Sequence, residues 1–171
     1  MAGKLLIAPS YEPIEGPLVF LAGPIQGAAR WQDKAIPYLQ NCVPDINIAS
    51  PRRDDASYNK GEFSVELYAE QVDWETFYLR KAAENGVILF WLAKEVQHNI
   101  SRAYAQTTRF ELAEWKIRHE RDFVKLALGI EEGFTGAKYI RRRFAQDCPS
   151  LTICKTLEET CDEAIGLLIL K

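Results

Sequence analysis

The sequence predicts an α/β fold, namely a flavodoxin-like, doubly wound, five-stranded parallel sheet of order 2-1-3-4-5 with helices on both faces. Short apolar segments alternate along the chain with segments of helical composition, which is the pattern of repeated βαβ units. Right-handed crossovers between parallel strands then give a doubly wound sheet. The chain has 171 residues, of which 47% are hydrophobic, and this is enough to bury one core. We therefore expect a single domain over residues 1–171.

Five short apolar runs predict the strands, because each is bounded by residues that interrupt regular structure. The first, PLVFLAG, ends at Gly23-Pro24, and the second, INIAS, is stopped by Pro51. The third, VILFWLA, is the clearest buried strand of the chain. The predicted strands are residues 17–23, 46–50, 87–93, 122–130 and 151–155. Residues 1–16 form an irregular lead-in that could add one small strand.

The segments between these runs have helical composition. The predicted helices are residues 30–42, 63–85, 107–119, 137–147 and 157–168. Thr108 with Glu111, and Thr156 with Glu159, have the spacing of capping boxes, in which the glutamate side chain bonds a backbone amide at a helix start. For Glu111 this is one of two interpretations. The other is a catalytic carboxylate placed near a helix start.

Composition argues against several classes of function. The net charge of −3 gives no general attraction to nucleic acid polymers, and no apolar run is long enough to span a membrane or to form a signal peptide. The four cysteines form no C-x-x-C pair and do not cluster with the two histidines, so we expect no metal site. We therefore expect a cytoplasmic protein whose chemistry depends on carboxylates.

Ligands of doubly wound sheets bind at the carboxyl ends of the strands, where three loops should converge. The loops are residues 22–28, 51–55 and 94–110. In the first loop, AGPIQGA, Gly23 and Gly27 allow a sharp turn and a close approach to a ligand, although an ordinary βα turn has the same pattern. The third loop leads to Glu111, so the topology itself brings that residue to the binding crevice.

Two further segments have both a functional and a structural interpretation. Charged side chains follow the second strand, where they suit recognition of hydroxyl or phosphate groups but equally suit a solvated loop. They are Arg52, Arg53, Asp54 and Asp55. On the helix at 63–85, Gln71 and Glu75 share one face with Trp74 beside them. In the functional interpretation this surface closes a pocket or forms an oligomer contact. In the structural interpretation Trp74 is a core residue and the acids beside it lie on the surface.

Five sequence blocks follow one another between residues 19 and 115. They are 19-VFLAGPIQGA-28, 50-SPRR-53, 71-QVDWETFYLRKA-82, 87-VILFWLA-93 and 109-RFELAEW-115. In this order and spacing they resemble the nucleoside 2-deoxyribosyltransferase family, in particular its 2-deoxyribosyltransferase-like branch. The resemblance implies a flavodoxin-like fold, no cofactor, and cleavage of the N-glycosidic bond between a nucleobase and 2-deoxyribose.

The resemblance also implies roles for individual residues. Glu111, in the motif FELA, stands where members of the family have a nucleophilic glutamate. Glu75 or Asp73 would contact the sugar hydroxyl or assist protonation of the base, and the sequence leaves both open. Phe20 stands where many members have a tyrosine, and Ala105 where an acidic residue precedes the nucleophile. The substrate contacts that we expect are Phe20, Gly23, Pro24, Ile25, Gln26, Arg52, Asp54, Trp74 and Tyr104.

Three functions follow as hypotheses. The first is deoxyribosyl transfer, in which Glu111 forms a covalent intermediate with the sugar and a second nucleobase accepts it. The second is hydrolysis of a deoxynucleoside or deoxynucleotide by the same glutamate, where a phosphate would implicate Arg52, Arg53 or Gln26. The third is a non-catalytic nucleotide-binding module. The expected partners are nucleosides, nucleobases and further copies of the chain, with the helix at 63–85 as the contact surface of a homo-oligomer.

Overall fold

The computed structural model describes residues 3–53 and 64–169. Within them the strands are β1 (Leu5–Ile7), β2 (Leu18–Ala22), β3 (Asn47–Ser50), β4 (Gly86–Leu92), β5 (Leu126–Ile130) and β6 (Ile153–Cys154). The helices are α1 (Gln32–Cys42), α2 (Val65–Asn85), α3 (Gln106–Asp122), α4 (Ala137–Asp147) and α5 (Leu157–Ile169). Every predicted strand and helix is present, and the bounds differ by a few residues. None of the helices over these residues combines the length and apolar character needed to cross a membrane.

All strand pairs are parallel, and the described part of the chain forms a six-stranded sheet of order β1-β3-β2-β4-β5-β6. Strands β2 to β6 are the five predicted strands in the predicted order, which confirms the fold class. The lead-in supplies the sixth strand, β1, which pairs with the edge of β3 from Leu5↔Ile48 to Ile7↔Ser50. The order reverses around β2, so a binding crevice is expected where β2, β3 and β4 end.

Two apolar layers cover the sheet. On one face, α2, α3 and α4 pack against strand residues that include Phe20 and Phe90, and Trp74 and Tyr78 of α2 are fully buried there. On the other face, α1 and α5 form the second layer. Successive residues of a strand point to opposite faces, and Phe20 and Ala22 both belong to the first layer. The end of β2 therefore faces α2 and α3.

Gly86 is required by the pairing of β4 with β2. A Cβ atom at this position would lie 1.8 Å from the carbonyl oxygen of Leu18, so a larger residue would push the two strands apart. The φ angle of Gly86 is −176°, which is extended backbone rather than the left-handed conformation of a helix cap. The Asn85-Gly86 pair therefore marks the end of α2 as predicted, but the glycine serves strand pairing.

The two predicted capping boxes have different outcomes. Thr156 Oγ1 accepts a 3.1 Å hydrogen bond from Glu159 N, and Glu159 Oε2 accepts one of 3.1 Å from Thr156 N, which confirms the box of α5. By contrast, α3 begins directly after Ala105, which is left-handed with a φ of 55°, and no side chain in the described part of the chain caps it. Thr108 is the third residue of α3 and Glu111 the sixth. The capping-box interpretation of Glu111 is therefore wrong.

Candidate active site

A cavity of about 240 Å³ lies where β2 and β3 end, between α2 and the start of α3. This is the crevice that the strand order predicts. Its wall consists of Phe20, residues 22–26, Pro51, one face of α2, residues 102–103 and 105–108, and Glu111. The volume is slightly below the roughly 300–1,000 Å³ of common small-molecule sites, so it suits one compact ligand.

The loop after β2 forms one wall of the cavity because a glycine lets it lie against β4. A Cβ atom on Gly23 would lie 2.3 Å from the carbonyl oxygen of Trp91 and 2.8 Å from the ring of Trp31. Trp31 is 4% exposed, and its Nε1 donates a 2.9 Å hydrogen bond to the carbonyl of Pro24. Trp31 therefore supports this wall from behind.

Two carboxyl groups line the cavity, Glu75 from α2 and Glu111 from α3. Both residues are partly buried. Gln71 lies one turn before Glu75, and its Nε2 donates to Glu75 Oε1 at 2.7 Å and to the carbonyl of Pro51 at 2.8 Å. Gln71 thus ties the Glu75 carboxylate to the end of β3. Among the described residues, no group of three or more His, Cys, Asp or Glu side chains is arranged to hold a metal ion.

A buried network continues from Gln71 toward the surface. Arg53, which is 7% exposed, donates from Nε to Gln71 Oε1 at 2.7 Å. Its Nη2 forms a 2.8 Å ion pair with Glu70, whose side chain is 48% exposed. Because Arg53 uses the acceptor atom of the Gln71 amide, the NH₂ group of that amide is directed to Glu75. The orientation of the Glu75 carboxylate therefore depends on a chain of contacts that begins at the protein surface.

Burial raises the proton affinity of both carboxyl groups. It raises the pKa of Glu75 to about 7, although the hydrogen bond from Gln71 and the charge of Arg53 favour the ionised form. Burial also raises the pKa of Glu111 well above its usual range, and the charges of Glu75 and Glu114 act in the same direction. Since each negative charge opposes the other, the pair retains a proton near neutral pH. One carboxyl group can then stabilise positive charge while the other donates a proton.

A family model described as nucleoside 2-deoxyribosyltransferase like matches residues 16–128. The chain belongs to this family. The matched segment includes both carboxyl groups and every residue that lines the cavity, so the family predicted from the sequence blocks is confirmed. The comparison with curated proteins gives no match.

In this deoxyribosyltransferase-like chain, the cavity wall includes most of the expected site residues. They are Glu111, Glu75, Phe20, Gly23, Pro24, Ile25 and Gln26. Asp73, the alternative to Glu75, is exposed and does not line the cavity. Residues two apart in a helix point in nearly opposite directions, which explains why only one of these two acids reaches the site.

Three other expected substrate contacts do not line the cavity. Trp74 is fully buried in the core beneath α2. The hydroxyl of Tyr104 donates a 2.7 Å hydrogen bond to the carbonyl of Ala93, which anchors the ring to the end of β4. Arg52 is partly buried, and burial lowers the pKa of its guanidinium, on which the charges of Arg30 and Asp33 act in opposite directions. Asp54 lies outside the described residues.

Several cavity residues were not expected from the sequence. Tyr68 and Val72 line the cavity from α2, and their positions seven and three residues before Glu75 are a helical spacing that could have identified them. Arg102 also lines the cavity. No comparable signal exists for Arg102, because it lies in the irregular loop before α3, where no periodic pattern indicates which side chains face the cavity.

Proposed function

We propose that the protein transfers 2-deoxyribose between nucleobases by cleaving the N-glycosidic bond of a 2′-deoxynucleoside through a covalent ester with Glu111. The observation that carries this proposal is the pair of partly buried carboxyl groups, Glu75 and Glu111, whose pKa values are raised within one cavity. Retaining glycosyl transfer uses two carboxyl groups in this way. Membership of the deoxyribosyltransferase-like family supports the identity of the sugar and of the bond.

In the first step, the Glu111 carboxylate attacks C1′ and forms a C–O bond while the C1′–N bond breaks. The electron pair of the broken bond goes to the base nitrogen, which takes a proton from Glu75. Positive charge that develops on the sugar favours the ionised form of Glu111 and therefore moves the shared proton to Glu75. A pKa of about 7 lets Glu75 release that proton near neutral pH.

In the second step, a nitrogen of the incoming base attacks C1′ and releases Glu111 as a carboxylate. The proton displaced from the incoming base returns to Glu75, which restores the starting state. A cavity of about 240 Å³ has room for the sugar and one base, so the first base leaves before the second enters. This order predicts ping-pong kinetics.

Base exchange tests the proposal. The protein is incubated with a 2′-deoxynucleoside and a different free base, and the products are separated by chromatography. Glu111→Gln keeps the side-chain shape without a nucleophilic oxygen, so we expect exchange to fall to background, whereas Glu75→Gln should lower it roughly 10²–10⁴-fold. Glu120→Gln, at an exposed position of α3, the helix that carries Glu111, is the matched control. Exchange that persists in Glu111→Gln would exclude the nucleophile assignment.

A second candidate is an N-glycohydrolase with water as the acceptor. Glu75 and Glu111 are only partly buried, so water has access to the cavity. Release of free sugar that is not suppressed by an added base would favour hydrolysis over transfer. Stabilisation by a nucleoside without any product would instead indicate a non-catalytic binding module.

We also propose that the chain acts as a homo-oligomer. Val65, Tyr68 and Val72 are exposed apolar residues on one face of α2, at i, i+3 and i+7. Tyr68 and Val72 also line the cavity, so a second copy on this face would extend its wall. Light scattering should give a multiple of the 19.5 kDa chain mass, and Val65→Glu should reduce it. A wild-type mass of one chain would contradict this proposal.

A further inference from the structure

The hydrogen bonds between Arg53 and Glu75 all run in one direction. Arg53 Nε donates to Gln71 Oε1 at 2.7 Å, and Gln71 Nε2 donates to Glu75 Oε1 at 2.7 Å. A guanidinium can only donate hydrogen bonds, whereas an ionised carboxylate can only accept them. The Gln71 amide has one acceptor atom and one donor atom, so its two partners together select one of its two orientations.

The opposite orientation of the Gln71 amide conflicts with the same partners. If its oxygen and nitrogen exchanged places, the NH₂ group would face the Arg53 guanidinium, and the oxygen would face the Glu75 carboxylate and the carbonyl of Pro51. Donor would then meet donor and acceptor would meet acceptor. Gln71 is 1% exposed, so water cannot relieve this conflict.

Arg53 is held in place by a second contact with the same helix. Its Nη2 forms a 2.8 Å ion pair with Glu70, the residue before Gln71 on α2. The planar guanidinium thus contacts two neighbouring side chains at once, which the single ammonium group of a lysine cannot do in the same geometry. Arg53 does not line the cavity, so we expect it to act on the reaction through Gln71 rather than by contact with a substrate.

The ionisable side chains around Glu75 come from several segments. Glu111 of α3, Arg102 of the loop before it and Tyr68 of α2 line the same cavity, and Arg53 lies behind Gln71. Burial raises the pKa of Glu75, while the hydrogen bond from Gln71 and the charge of Arg53 lower it. Both of these opposing effects depend on Arg53, one through its charge and the other through the orientation of the amide.

We propose that Arg53 is a positioning residue for proton transfer from Glu75, and that it acts by keeping the donor atom of Gln71 directed at that carboxyl group. This rests on the proposed function, in which Glu75 protonates the departing base. The O–H bond of Glu75 breaks, its electron pair stays on the carboxylate, and the proton forms an N–H bond with the base nitrogen. A donor that is already in place stabilises the carboxylate as it forms and so lowers the barrier to this step.

Without Arg53 the other orientation of the amide becomes accessible. Gln71 Oε1 would then accept a hydrogen bond from protonated Glu75, which stabilises the acid and opposes release of its proton. We therefore expect Arg53→Met to lower kcat for base exchange roughly tenfold or more, the effect of one charge-assisted hydrogen bond. KM should stay close to the wild-type value. A raised KM with unchanged kcat would indicate a substrate contact and overturn the positioning role.

A double-mutant cycle tests whether Arg53 acts through Gln71. In a Gln71→Met background, Arg53→Met should lower kcat little further, whereas losses that multiply would show that Arg53 acts only as a distant charge and would overturn the proposal. Arg53→Lys keeps the charge without the two-donor geometry, and it is the second variant if Arg53→Met does not fold. It should lower kcat less than Arg53→Met, and a wild-type kcat would also overturn the proposal. Arg80→Met, at an exposed position of α2, is the matched control and should retain kcat.

Carbon-13 NMR titration of the Glu75 carboxyl group separates this proposal from the proposed function, because it requires no activity. The signal of Glu75 is identified by its loss in Glu75→Gln. The pKa of Glu75, about 7 in the native protein, should rise by about one pH unit in Arg53→Met and stay unchanged in Arg80→Met. This rise in a protein that exchanges no base would support control of Glu75 by Arg53 and refute the transferase proposal. Base exchange by the wild type, with a pKa that Arg53→Met leaves unchanged, would overturn the positioning role and leave the transferase proposal standing.

Discussion

Replacing Gln71 with methionine tests whether the buried network sets the proton affinity of Glu75. Gln71 is 1% exposed, and its amide donates to Glu75 and Pro51 and accepts from Arg53. Methionine has a similar length but no donor, so Glu75 loses a hydrogen bond that favours its ionised form. A hydrogen bond to a charged group contributes about 1.5–3 kcal/mol, and 1.36 kcal/mol corresponds to about one pKa unit. The pKa of Glu75, which is about 7 in the native protein, should therefore rise further, by about one to two pH units.

The assay is the pH dependence of kcat/KM for base exchange. In the proposed mechanism Glu75 is protonated and Glu111 is ionised, so the alkaline limb of the profile reports loss of the proton that the pair holds on Glu75. We expect this limb to move upward by about one pH unit or more in Gln71→Met. It should not move in Gln146→Met, an exposed control on α4. A uniform loss of activity at every pH, with the alkaline limb unmoved, would refute this reasoning and leave Gln71 with a packing role alone.

Three further predictions concern stability and can be measured by urea unfolding. Folding raises the pKa of Glu75 from 4.5 to about 7, so the stability associated with its protonated form is fully present below pH 4.5 and is lost as pH rises through 7. The free energy of unfolding should fall by about 3 kcal/mol over this interval, and Glu75→Gln should remove that part of the pH dependence. Gln32 is 1% exposed, and neither the oxygen nor the nitrogen of its side-chain amide has a hydrogen-bond partner in the described part of the chain. Gln32→Met removes these two buried polar atoms and should therefore stabilise the protein by about 1–2 kcal/mol. A loss of stability would contradict this prediction. Thr156→Ala removes the capping box of α5 and should cost about 1 kcal/mol, whereas Thr152→Ala, which lies before that helix, should cost little.

The fold class could be predicted because the buried strands carry their own local signal. β2 and β4 are continuous apolar runs, and the crossover rules then order them without detailed knowledge of packing. β1 is different, since Leu5–Ile7 is three residues long and exists through its pairing with β3. A contact between segments that are distant in the chain has no local sequence pattern, and the lead-in therefore gave only a weak indication of a strand.

The candidate site could be predicted in part for a similar reason. Glu111 follows β4 in the chain, so topology alone brings it to the crevice, but the start of α3 depends on the left-handed Ala105. The choice between Glu75 and Asp73 depends on the rotation of α2 about its axis. Trp74 sets that rotation by packing in the core, and an aromatic residue flanked by acids has the same sequence pattern in a core as beside a pocket.

The two carboxyl groups of the cavity come from different helices, so the distance between them depends on how α2 packs beside α3. Trp74 and Tyr78 of α2 share one apolar cluster with Leu112 of α3. A change of side-chain volume in that cluster therefore alters the separation of Glu75 and Glu111. In glycosidases this separation decides between direct attack on the sugar and displacement by an intervening water, and hence between retention and inversion. Substitutions in the hydrophobic interior could therefore change the stereochemical outcome of the proposed reaction while every residue of the cavity wall stays the same.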